Sequence, residues 1–255
     1  MFCFFQFESI MLEKHISKLL LLVKVVWIGL CARSIKVFYD RISNIYDLVF
    51  QDHIIHIENI VNLFTSIYHE KRECTILDLG CGTGMLSKAL IDHGFHVIGI
   101  DISMKSLRIL QRTERRLTLI QGDVESLPFS GQHLKDLVCL GVWRHLRHIE
   151  VVLDEICRVL SKDGNFILGY FPPKLGGLVH IPDNRWGRMI VNLYNKMVHW
   201  LGYDDTVDFD FGEQTLQTIG KRFDHLQRVV SGQHWHLILA CRPRTRPNSI
   251  CNNET

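Results

Sequence analysis

Ile76-Leu77-Asp78-Leu79-Gly80-Cys81-Gly82-Thr83-Gly84 is an apolar run that breaks abruptly into alternating glycines. A short apolar run bounded by glycine reads as a buried strand, here over residues 74–79. A helical pattern resumes at Met85 and runs over 85–93, with Gly94 placed to end it. A glycine turn between a strand and a helix lets a ligand approach the backbone closely. It also turns the first amides of the helix toward that ligand.

The same alternation continues outward. Strands are expected over 96–101, 117–121, 136–140 and 165–170, with helices over 104–112 and 151–160. Ser103 stands where an N-cap belongs, and Lys162-Asp163-Gly164 ends the second of those helices. Strand and helix spaced in this way form βαβ crossovers, which implies a parallel sheet with helices on both faces. After Tyr170 the alternation stops. Pro172-Pro173 and Gly176-Gly177 read as loop, and helices are expected over 186–201 and 213–223. Strands over 226–231 and 235–241 are joined closely enough to form an antiparallel hairpin.

The glycine pattern narrows the ligand. Dinucleotide turns use G-x-G-x-x-G. Counting from Gly80 or from Gly82, the last position falls on Met85 or Ser87, so a pyrophosphate is disfavoured. Three acids add to the loop. Asp78 lies in the strand before it. Asp101 ends the next strand, where a carboxylate accepts from both hydroxyls of a ribose. Asp123 follows the third strand, where a carboxylate can accept from an adenine amino group or merely cap a turn. All three sit at carboxyl ends of adjacent parallel strands, the ligand-binding edge of an open α/β sheet.

With the loop, Val97-Ile-Gly-Ile-Asp-Ile-Ser103, Gln121-Gly-Asp-Val-Glu-Ser-Leu-Pro-Phe129 and Arg158-Val-Leu-Ser-Lys-Asp-Gly164 resemble the class I S-adenosylmethionine (SAM)-dependent methyltransferases. The resemblance covers residues 37–170. Phe38-Tyr39-Asp40-Arg41-Ile42 and Tyr46-Asp47 are similar to the N-terminal segment of the quinone-biosynthesis branch. The family implies a Rossmann-like fold: a seven-stranded, mostly parallel sheet, a helical insertion and a C-terminal antiparallel hairpin. The expected domains are an apolar, amphipathic helix in 1–36, read from its helical wheel, a methyltransferase domain over 37–243 with a substrate-covering insertion at 171–223, as the resemblance implies, and a disordered tail at 244–255, read from its prolines and polar residues. The family also implies SAM as cofactor. Gly80, Gly82 and Thr83 would line its methionine part, and Asp78 would position the loop and the amino group. Asp101 would hold the ribose with Ile102 beside the adenine, Asp123 and Val124 would meet the adenine edge, and Cys139 and Leu140 would pass under the sulfonium. Tyr39 is either a lid residue over the cofactor or a core aromatic.

Methyl transfer needs the acceptor in line with the methyl group, and a base only when the acceptor must lose a proton. Relatives carry a histidine pair after the fourth strand. Here the first is Arg144, and His145 is the catalytic candidate, read equally as a structural residue at the start of a helix; His148 is the weaker alternative. Trp186, Tyr194, Trp200, Tyr203 and Phe211 in the insertion suit a small lipophilic acceptor, quinone-like or polyketide-like, or simply pack on the sheet. A non-catalytic SAM-binding or scaffold protein is the alternative function.

Composition bounds the rest. The 255 residues are 47% hydrophobic and 22% charged with a net charge of +2, which gives no basic field for nucleic acid. Eight cysteines form no C-x-x-C pair, so reduced thiols in a cytoplasmic protein are expected, and no metal site. The pairs His53/His56 and His234/His236 are read as surface residues. In residues 9–33, Glu13, Lys14, Lys18 and Lys24 share one side of a helical wheel opposite Leu, Val, Ile and Trp. Such a helix packs on the domain, lies on a membrane surface as a peripheral contact, or anchors in the membrane.

Overall fold

The computed structural model describes residues 24, 27–28, 31–32, 34–49, 54–68, 74–143, 146, 148–170, 174–175, 179–180, 185–186, 188–189, 192, 196, 211–232 and 235–243. After helical residues at 24, 27–28 and 31, the first elements with described bounds are α1 (Ile35–Ile42), α2 (Tyr46–Val49) and α3 (Ile54–Tyr68). The alternating region follows as β1 (Thr75–Leu79), α4 (Met85–Asp92), β2 (His96–Asp101), α5 (Met104–Thr113), β3 (Thr118–Gln121), β4 (Leu134–Leu140), α6 (Ile149–Val159) and β5 (Leu160–Tyr170). A short pair, β6 (Lys174–Leu175) and β7 (Val179–His180), then α7 (Phe211–Gly220), β8 (Phe223–Gly232) and β9 (Trp235–Pro243) complete the described chain.

Seven strands form one sheet in the order β3-β2-β1-β4-β5-β9-β8. The pairs β1–β2, β1–β4, β2–β3 and β4–β5 are parallel, whereas β9 runs antiparallel to β5 and to β8. This is the expected Rossmann-like sheet with its closing hairpin. Alternation within β1 shows why the run is apolar throughout. Leu77 and Leu79 belong to the core cluster that also holds Leu153 and Ile156 of α6 and Ile219 of α7. Ile76 faces the opposite way, toward Ile60 and Phe64 of α3 and Leu86 and Leu90 of α4. A strand covered on both faces has no polar side to show.

Several boundaries differ from the sequence expectation. β5 begins at Leu160 rather than at Asn165, because Leu160 already pairs with Leu134 across a register irregularity. The last helix ends at Gly220, and Phe223 opens β8 instead of closing that helix. Its backbone pairs with Pro243 and its ring stacks on Phe166, with centroids 6.0 Å apart. Lys174–Leu175 and Val179–His180 pair with each other where the sequence reads as loop. The helix expected over 186–201 falls mostly outside the described residues, and the tail at 244–255 lies wholly outside them.

Candidate functional site

The site is built where β1 and β2 end. Gly80 takes φ +73°, and a Cβ there would lie 2.1 Å from Val142 Cγ2, so the turn after β4 packs directly on the glycine backbone. The amides of Gly80 and Cys81 donate to the Ile100 carbonyl at 2.8 and 3.1 Å, which fastens the loop to β2. Gly82 differs. Its φ is +54°, and a Cβ would meet nothing nearer than the Gly80 carbonyl oxygen at 4.0 Å. That side of the loop is open to a ligand.

Asp101 joins the two loops. Its Oδ2 accepts from the Gly82 amide at 2.9 Å and its Oδ1 from the Ser103 amide at 2.7 Å. Burial still holds its carboxyl above the ordinary carboxylate value despite these two bonds, and the charge of Asp40 adds to the effect. Asp78 is 2% exposed and accepts from the Ser87 hydroxyl at 2.5 Å. Burial pushes its carboxyl up to about 7, against the Ser87 bond and aided by Asp101.

The remaining expected residues divide between the site's edge and the core. Asp123 is exposed, and its Oδ1 accepts from the Glu125 amide at 3.0 Å, a turn-closing contact. Val124 packs partly into the core. Ile102 is half-buried, and its carbonyl accepts from Gln121 Nε2 at 3.2 Å. Leu140 is half-buried at the end of β4. Cys139 lies in the core with Leu77 and Leu79, its thiol pushed up to about 12 by burial and then by Asp78. It therefore forms wall rather than a reactive thiol. Tyr39 is half-buried and packs edge-on against Phe38, with ring centroids 5.3 Å apart, and against Tyr46 at 6.1 Å.

Two carboxylates that were not singled out in the sequence also reach these loops. The Ser103 hydroxyl donates to Asp40 Oδ1 at 2.6 Å, and the Thr83 hydroxyl donates to Asp47 Oδ1. Tyr46 lies close enough to Asp101 and Asp47 that burial and both charges hold its phenol well above the ordinary range. The available signal was the repeated dipeptide, Tyr39-Asp40 and Tyr46-Asp47. Asp40, Asp47, Asp78 and Asp101 thus converge on one end of the sheet, a set of acceptors suited to a ligand that carries positive charge and hydroxyls.

Arg144 and His145 lie outside the described residues, as do the side chains of His53, His56, His234 and His236. His148 is exposed, and its Nδ1 sits 3.0 Å from Glu125 Oε2, linking the loop after β3 to the start of α6. Among the described residues no cluster of His, Cys, Asp and Glu could hold a metal ion, and Cys31, Cys74, Cys81, Cys139, Cys157 and Cys241 form no disulfide.

The comparisons with known proteins agree with this architecture. The profile of the family described as "Methyltransferase domain" matches residues 77–168. The demethylmenaquinone methyltransferase of Thermotoga maritima is 30% identical over 187 residues, covering 68% of this chain and 79% of its own. That of Lactobacillus johnsonii is 38% identical over 98 residues, covering 34% of this chain and 40% of its own. Apart from the Thermotoga protein, the chain spans about half the length or less of these curated relatives. Among solved structures, magnesium protoporphyrin IX methyltransferase from Synechocystis with bound S-adenosylhomocysteine (SAH) superposes with a TM-score of 0.54. It is 17% identical, and the match covers 74% of this chain and 83% of that one, a likeness of fold. With the Thermotoga relative matched along most of its length and the strand order in place, this chain belongs to the class I SAM-dependent methyltransferase family.

Proposed function

We propose that the protein transfers a methyl group from SAM to a small, lipophilic acceptor, quinone-like or polyketide-like. The observation that carries this reading is the Asp101 carboxylate, held by the Gly82 and Ser103 amides beside the open side of the glycine loop. SAM supplies an electrophilic methyl group on a positively charged sulfur. The chain's own residues bind and orient it. Asp101 takes the ribose hydroxyls, with Ile102 flanking the adenine and Asp123 and Val124 at its edge. Gly80, Gly82 and Thr83 line the methionine part, and Asp78 orders the loop from below and favours the ligand's amino group. Cys139 and Leu140 wall the strand end, and Tyr39 covers the site from the N-terminal side. The convergence of carboxylates fits a cationic ligand better than a dinucleotide, whose pyrophosphate they would repel.

The acceptor class is supported by the demethylmenaquinone methyltransferases among the relatives and by the exposed apolar side chains of Trp186 and Met189 in the insertion. His145 is the proposed base where the acceptor must lose a proton. We also propose a peripheral membrane contact through residues 9–33, supported by exposed Lys24 and Trp27. No helix among the described residues is long and apolar enough to cross a membrane.

Calorimetry with SAH tests the donor. Wild type should bind, and Asp101→Ala should lose at least an order of magnitude in affinity. No binding by wild type, or equal binding by the variant, would sink this reading. The acceptor is tested by mass spectrometry of metabolites in cells expressing the protein, where compounds heavier by one methylene should appear with wild type and not with Asp101→Ala.

A further inference from the structure

We propose that Asp40 and Asp47 are positioning residues, each holding the hydroxyl that orders one donor loop, so that helices α1 and α2 and both loops set donor affinity as one unit. The proposal rests on the donor reading above and deepens it.

The two hydroxyls are the reason. Ser103 is 0% exposed and Thr83 is 2% exposed, so neither has water to fall back on. The Ser103 hydroxyl has one proton, which goes to Asp40 Oδ1 at 2.6 Å. That direction leaves its oxygen to accept from the Ser106 amide at 3.1 Å and cap α5. With the rotor settled, the Ser103 amide points at Asp101 Oδ1. The chain from Asp40 through Ser103 thus ends on the ribose-facing carboxylate. Thr83 sits between Gly82 and Gly84, both at positive φ, in a stretch with few side chains to hold it. Its hydroxyl donates to Asp47, carried by α2. Each loop is therefore tied to the N-terminal segment by its own carboxylate. Both loops are also tied to each other by Asp101. If the segment lifts, two buried hydroxyls lose their acceptors while the two loops lose their alignment.

Mere packing of α1 and α2 predicts something else: substitutions there would lower stability without a selective effect on the ligand. The test uses the full chain, with SAH as probe. Affinity and dissociation rate are measured for wild type, Asp40→Asn, Asp47→Asn, Thr83→Val, Thr83→Ser and the pair Asp47→Asn with Thr83→Val. Melting temperatures are recorded alongside. Each of the first three single variants should bind about tenfold more weakly, mainly through faster dissociation. Thr83→Ser keeps the hydroxyl and should recover most of the affinity that Thr83→Val loses. The double variant should be no worse than Thr83→Val, which deletes the contact that Asp47→Asn only weakens by removing its charge. Losses that multiply in the double variant would overturn the proposal, as would wild-type binding by both Asp variants. Hydrogen exchange of residues 35–49 in the ligand-free protein separates the two readings. Protection in wild type that falls in Asp47→Asn, with no SAH binding by any form, would sink the donor reading and this proposal with it, leaving only a structural tie. Binding by wild type with unchanged variants would sink the proposal alone.

Discussion

Asp78 is enclosed by apolar strands and meets the Ser87 hydroxyl, and that confinement has a pH signature. Its carboxyl titrates at about 7, raised first by burial and further by Asp101. An unfolded chain ionises the same group near pH ~4. Between those values the ligand-free folded protein retains a proton that the unfolded chain has released. Stability therefore falls as pH rises through the window, by on the order of 4 kcal/mol as an upper bound. Asp78→Asn removes this penalty, so at a pH of about 8 the ligand-free variant should resist urea better than wild type, with the difference fading toward about pH 4. A cationic ligand favours the ionised form. The ratio of wild-type to variant affinity for SAM should therefore rise between about pH 6 and 8, since the ligand's own amino group titrates alike in both experiments. Parallel pH profiles for the two proteins would refute this account. The glycines allow a second comparison. Alanine at either Gly80 or Gly82 pays for a left-handed backbone, about 1–2 kcal/mol. Gly80→Ala must also displace Val142, whereas Gly82→Ala meets open space. Thermal melts should show Gly80→Ala as the less stable protein, while calorimetry should show Gly82→Ala folded and deficient in SAH binding. The loop residues and Asp101 were legible in the sequence because they follow strand ends in a fixed local pattern. Asp40 and Asp47 were not, since their partners lie 63 and 36 positions away and no periodicity tells a carboxylate which distant hydroxyl it will meet.

At the scale of elements, the strands are held at both ends by different means. The carboxyl ends carry the open loops. Near the start of β4, buried Asp136 accepts from the Tyr68 hydroxyl at 2.5 Å and from Asn165 Nδ2 at 2.9 Å. Lys135 Nζ lies 5.7 Å from the centre of the Tyr68 ring. This cluster ties the last turn of α3 to β4 and β5, away from the glycine loop. Tyr68→Phe removes one hydrogen bond from a buried carboxylate and should cost about 1–3 kcal/mol in denaturant unfolding, with SAH affinity unchanged. A variant as stable as wild type would show that the short contact contributes nothing. The elements themselves were legible wherever burial on both faces makes a strand uniformly apolar, as in β1. They were less so where tertiary packing overrides the local pattern. Phe223 continues a helical pattern in sequence, but its ring completes the row Trp143, Phe166, Phe223 in the core, and that burial draws it into β8. The brief pairing of β6 with β7 has no apolar run to announce it.

At the scale of the whole molecule, the end of the sheet proposed to bind the donor is specified by local motifs, and the proposed acceptor side is not. The acceptor side proposed above draws on residues far apart in sequence, and no spacing in the sequence dictates how such residues come together. The lipophilic acceptor proposed above raises the question of where the protein would meet it. Ile28 and Trp27 are neighbours on one helical turn, yet they face different surroundings. Ile28 packs beside Ile42, Phe38 and Tyr39, while Trp27 is 67% exposed and Lys24 is exposed on the preceding turn. An exposed indole beside an ammonium suits the boundary between headgroups and acyl chains, where the ring enters and the charge meets anionic lipid. Ile28 ties that turn to the same α1 that carries Asp40, so a membrane contact would be made next to the donor loops. Trp27→Ser leaves the packed side of the turn intact and should melt like wild type. In sedimentation with vesicles containing anionic lipid, it should bind about tenfold more weakly than wild type. Lys24→Glu should weaken binding mainly at low salt, since its contribution is screened. If wild type and both variants remain equally in the supernatant, the peripheral contact is wrong, and the exposed Trp27 is an ordinary surface residue.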